Sequence, residues 1–60
     1  MTLDHDIAKV LTKAKINPAS ATDIEIALAD RMLQIYTTPD GKPLHDAAAW
    51  ALRRLNGDPP

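Results

Sequence analysis

Apolar residues along this chain recur in three blocks, separated by short polar stretches that carry proline. In the first block Leu3, Ile7, Val10, Leu11 and Ala14 stand at i, i+4, i+7, i+8 and i+11, one narrow stripe on a helix. Asp4 and Asp6 lie near its start and Lys13 and Lys15 near its end, each where the helix dipole favours that sign. Thr2 or Asp4 supplies the cap. Asn17-Pro18 ends or turns the helix, because the residue before proline is pushed out of the helical region.

The middle block, Thr22 to Tyr36, is the one the others are arranged around. At about 100° per residue, Ile24, Leu28, Met32 and Ile35 fall on one stripe. Ile26, Ala29, Leu33 and Tyr36 continue it around the other side. The combined arc covers roughly 200°, where a surface helix needs little more than about 100°. Glu25 is the one charge inside the arc, in the first turn where an acid suits the dipole. Thr22 with Glu25 reads as a capping box, Ser20 with Asp23 as a second, and Asn17-Pro18 offers a third start. A wide arc is what the middle helix of a three-helix bundle needs against two neighbours. It also fits a helix whose Ile26, Ala29 and Leu33 face another chain, and the length of the chain favours that second reading.

The third block runs from Leu44 to Asn56, with Leu44, Ala48, Ala51, Leu52 and Leu55 on one face. Pro43 and Asp46 suit its first turn, Arg53 and Arg54 its last, and Gly57 the left-handed cap beyond it. Ala47-Ala48-Ala49 admits a close neighbour and favours helix. Pro39-Asp40-Gly41 is a turn: proline presets φ, aspartate accepts locally and glycine takes positive φ. Ile35 to Thr38 is rich in strand formers, so a small hairpin of 35–38 against 42–45 is the alternative to a helix that ends near Tyr36 and runs into a loop. Two such strands alone are marginal, and the helix-then-loop reading is preferred. The predicted fold is all-α: a single domain, 1–60, with helices of about 3–16, 20–36 and 43–56 packed as a three-helix bundle. Residues 57–60, with Pro59-Pro60, form a loose tail.

Length sharpens this picture. A chain of 60 residues hides a smaller share of its surface than a longer one. Small domains add a staple: a disulfide, a metal, association or very regular packing. There is no cysteine, which removes disulfides and cysteine-based zinc sites. His5 and His45 lie in different blocks, and neither His5-Asp6 nor His45-Asp46 makes a dyad, since adjacent helical residues point about 100° apart. Association or good packing is left, and self-association as a homodimer is the expectation, with Ile26, Ala29, Leu33, Trp50 and Arg54 as interface candidates. Trp50 either caps the small core or, with Arg54 one turn on, anchors an interface through a cation–π pair.

Charge and chemistry add exclusions. Seven basic and eight acidic residues leave a formal charge of −1, against a general affinity for polyanions. A recognition helix starting near Thr22 would present Asp23 and Glu25 to phosphates. A dimeric DNA-binding regulator would instead use Arg53, Arg54 and Lys42, and an accessory subunit of a larger complex is a third possibility. The only serine, Ser20, is explained by capping, and the two glycines form no phosphate loop. The expectation is therefore not an enzyme, with no cofactor, metal or small-molecule substrate. No apolar run approaches the roughly 20 residues that span a bilayer, and no stretch resembles a secretory leader. A cytoplasmic location is expected.

Overall fold

The computed structural model describes residues 3–57. Within them the chain forms three helices: α1, His5–Lys13; α2, Asp23–Ile35; and α3, His45–Leu55. A single 3-10 turn, Pro18–Ser20, lies between α1 and α2. Each helix packs on both of the others, so the molecule is an all-α three-helix bundle. Thr2 and Asp58–Pro60, and with them one candidate cap and most of the expected tail, lie outside the described residues.

The caps show why the helices begin where they do. The Asp4 carboxylate accepts from the Asp6 amide at 2.8 Å and the Ile7 amide at 3.4 Å. Thr22 and Glu25 close a full capping box. The Thr22 hydroxyl accepts from the Glu25 amide at 3.1 Å, and the Glu25 carboxylate accepts from the Thr22 amide at 2.8 Å. That explains the one charge inside the α2 arc, since the box holds it at the helix end. Asn17, another of the three candidate starts, caps the 3-10 turn instead. Gly57 takes φ +90° after α3 and donates to the Arg54 carbonyl at 3.2 Å, as a helix-terminating glycine does.

α1 ends four residues before Asn17-Pro18. Lys15 adopts φ +64°, its amide donates to the Thr12 carbonyl at 3.0 Å, and the Ile16 amide donates to the Leu11 carbonyl at 2.8 Å. These are the two bonds of a Schellman motif, which a contact between the apolar residue after the cap and the helix usually accompanies. Ile16 packs against the core accordingly. A lysine in this conformation brings its Cβ close to a carbonyl oxygen, a clash that glycine lacks. Lys15→Gly should therefore stabilise the fold by about 1 kcal/mol, seen as a higher urea midpoint with an unchanged slope.

Between α2 and α3 the chain does something intermediate between the two expected forms. α2 ends at Ile35, and the Thr37 hydroxyl donates back to the Leu33 carbonyl. The segment then folds over the three-residue loop Pro39-Asp40-Gly41. Thr38 donates to the Lys42 carbonyl at 2.9 Å, Leu44 to the Tyr36 carbonyl at 2.8 Å, and a single antiparallel bridge joins Thr37 and Pro43. Gly41 at φ +88° takes the left-handed place that a three-residue hairpin loop requires. Pro43 has no N–H to extend the ladder, and no strand forms among the described residues.

The core is thin and apolar. Its buried residues are Val10, Leu11, Ala14, Ala29, Met32, Ala48, Ala49, Ala51 and Leu52. Most are alanine, which lets helix backbones approach closely. Among the described residues the only large side chains fully removed from solvent are Val10, Leu11 and Leu52. The α1 stripe faces inward as predicted, with Leu3 and Ile7 packed on its edge. On α3 the buried face includes Ala49, while Leu44 and Leu55 at the two ends are exposed.

Candidate functional site

The wide apolar arc of α2 is mostly used within the protomer. Ala29 is fully buried, and Ile26 and Leu33 are partly buried against the core. The reason is the closed triangle of helices: α2 faces both neighbours, and those three residues lie on the flank the neighbours cover. The edge left in water is the opposite one, where Ile24 and Ile35 are exposed. Three of the five interface candidates thus stand on the core side of the fold.

The other two, Trp50 and Arg54, stand together on the outside. On α3 the buried residues Ala48, Ala49, Ala51 and Leu52 centre on a direction roughly 180° from Trp50. Trp50 therefore points straight away from the bundle and is 58 % exposed. It does not cap the core. Arg54, one turn later, holds its guanidinium 5.2 Å from the centroid of the indole ring, within cation–π range. Such a contact at an exposed site is worth about 0.5–1 kcal/mol. Arg53 is partly buried beside them, and Lys42 is exposed in the turn that precedes α3. The length of α3, about 16 Å for eleven residues, separates Lys42 from the two arginines.

A second polar feature ties α3 to α1. His45 Nε2 lies 2.9 Å from Asp6 Oδ1, with the imidazole largely covered. An ionised carboxylate only accepts, so Nε2 carries the proton. Lys13 Nζ lies 2.9 Å from Asp46 Oδ1. Adjacent residues at the start of α3 thus grip α1 at positions seven apart, about 10 Å along its axis. Each histidine–aspartate dipeptide is no dyad by itself, but His45 of one pairs with Asp6 of the other across 39 residues. The packing of α1 on α3 covers the His45 ring, which the residue pattern alone does not indicate. A shallow groove of about 440 Å³ opens here, lined by Lys9, Lys13, Leu44, His45 and Asp46 among others. Among the described residues no three His, Cys, Asp or Glu side chains gather as metal ligands do. The described helices include none long and apolar enough to cross a membrane.

The Lys13 ammonium, by its hydrogen bond and its charge, holds the Asp46 carboxyl below its ordinary value, and His45 and Lys9 add smaller pulls the same way. A carboxyl held low in the folded state adds stability above its unfolded pKa, and that stability is lost as pH falls through the folded value. Lys13→Met should raise the Asp46 pKa toward the ordinary range in an NMR titration of its carboxyl carbon. The pair is solvent-exposed, so its share of the overall stability is small.

Fold and surface together define a small helical bundle with an aromatic–cation pair displayed on one helix. No protein-family model, curated protein or solved structure matches this chain.

Proposed function

We propose that the chain is a small protein-interaction module, acting in the cytoplasm by docking another protein, or a second copy of itself, on the outer face of α3. The observation that carries this reading is the placement of Trp50. It is the only tryptophan in the sequence, and the thin, alanine-built core leaves it outside. An indole offers some 150–250 Å² for burial, and tryptophan and arginine are the residues most enriched where binding energy concentrates. Arg54 over the ring presents both at once, and two side chains already in contact lose less entropy on docking. The cysteine-free composition fits a reducing compartment.

A nucleic-acid partner is the lesser reading. The chain has a slight negative charge, α3 keeps Lys42 apart from Arg53 and Arg54, and Arg54 is engaged with the indole. The test is a photo-crosslinking amino acid placed at position 50 in the native cell, with position 40 in the turn as control. A protein adduct formed from position 50 and not from position 40 supports the interaction reading. Adducts to nucleic acid alone, or none from position 50, overturn it. The identity of the adduct separates an accessory subunit of a larger complex from a free-standing module.

A further inference from the structure

The outer face of α3 carries three residues at equal steps: Asp46, Trp50 and Arg54. Residues four apart lie one above the other on a helix, so these make one ridge with an acid at one end, an aromatic in the middle and a base at the other. Such a ridge is complementary to itself when reversed. We propose that the occupant of this face is a second copy of the chain, packed with α3 antiparallel about a twofold axis at Trp50, so that Asp46 of each protomer meets the partner's Arg54. This deepens the interaction reading above and rests on it.

Several observations support the arrangement. An isologous contact needs one patch that matches itself, residue i meeting j while j meets i, and the spacing of Asp46 and Arg54 about Trp50 supplies that match. Charge complementarity across such a contact also fixes the antiparallel direction, since a parallel pairing would set like charges side by side. The groups are accessible. Asp46 gives only Oδ1 to Lys13, and its side chain is 90 % exposed. A carboxylate accepts at both oxygens. Arg54 is exposed and holds its guanidinium 5.2 Å from the centroid of the indole ring, and the five N–H donors of the group exceed what a cation–π contact engages. At the axis each Trp50 meets its own copy, as an isologous contact requires. Position 47 lies opposite position 53 across the axis and is alanine, and Gly57 lies opposite Pro43. The contact is limited to a helix of about 16 Å, well short of the roughly 800 Å² per partner of a standard interface. The dimer is accordingly weak and concentration-dependent.

Sedimentation equilibrium on the purified full chain, from about 1 µM to about 1 mM, reads the association. Each charge pair occurs twice in a twofold dimer, so a single reversal turns two attractions into two repulsions. Asp46→Arg or Arg54→Asp alone should weaken association about tenfold. The two together restore the pairing and again place an arginine one turn from the indole, so affinity should return to near that of the parent. Trp50→Ala should abolish association, and far-UV circular dichroism should stay unchanged because the ring points away from the core. A monomer throughout the concentration range would overturn the proposal, as would a dimer indifferent to both single reversals or a double exchange that fails to restore it while the chain stays helical. A monomeric chain whose position 50 still crosslinks to a protein of another mass would end self-pairing and leave the interaction reading standing. A monomer that crosslinks to nothing would end both.

Discussion

Replacing Leu52 by alanine should lower the melting temperature by about 8 °C or more. Leu52 stands with Leu11 and Val10 among the large side chains wholly withdrawn from solvent. The rest of the buried core is mostly alanine, which cannot swing into a void. A buried Leu→Ala change costs about 2–5 kcal/mol, rising with the cavity that remains. At about 0.05–0.15 kcal/mol per residue, a domain of this size holds only about 3–9 kcal/mol in all. One substitution therefore removes anything from about a fifth of the stability to all of it. In a small domain each kcal/mol moves the transition by about 4–8 °C, so a melt followed at 222 nm by circular dichroism gives the answer directly. A shift under about 5 °C would show that Leu52 is not at the centre of the core.

Ala29→Asp should unfold the chain outright. Ala29 is fully buried where α2 meets its neighbours, and the core around it is apolar. A carboxylate placed there has no partner. It must stay charged in a medium that solvates it poorly, or take up a proton and still bury unmatched polar atoms, and either costs several kcal/mol. Leu33→Asp, on the partly buried flank, should destabilise less, because its carboxylate can turn to water. These two changes separate core from contact surface. If Ala29→Asp left helicity intact and only dissolved a dimer, the inward assignment of that flank would fail.

What could be read from the pattern of residues, and what could not, divides along the range of the interaction. The Asp4 cap, the Thr22–Glu25 box, the Gly57 cap and the α1 stripe all act within about one turn or along one helix, and spacing reveals them. The end of α1 was hidden because its left-handed residue is Lys15, not glycine. The packing of Ile16 decides it, and no local signal marks that. The surplus apolar circumference of α2 was visible, but not which edge of it faces out. Ile26, Ala29 and Leu33 on one side and Ile24 and Ile35 on the other are equally apolar on a wheel. Only the positions of α1 and α3 choose between them. The burial of Ala49 turns the inward face of α3 away from Trp50, and so moves the indole from the rim of the apolar stripe to the far side of the helix. The Asp6–His45 pair joins residues too distant in sequence for any periodicity to connect.

Because the one indole stands outside, the intrinsic fluorescence of this protein reports on its surface and not on its folding. At concentrations where the chain is monomeric, denaturant should move the emission maximum little, since Trp50 is already more than half exposed before the helices come apart. A molecule that settles over α3 should shift that maximum to shorter wavelength and shield it from iodide or acrylamide quenching. The native chain thus carries its own label for contact, at the position where contact is expected.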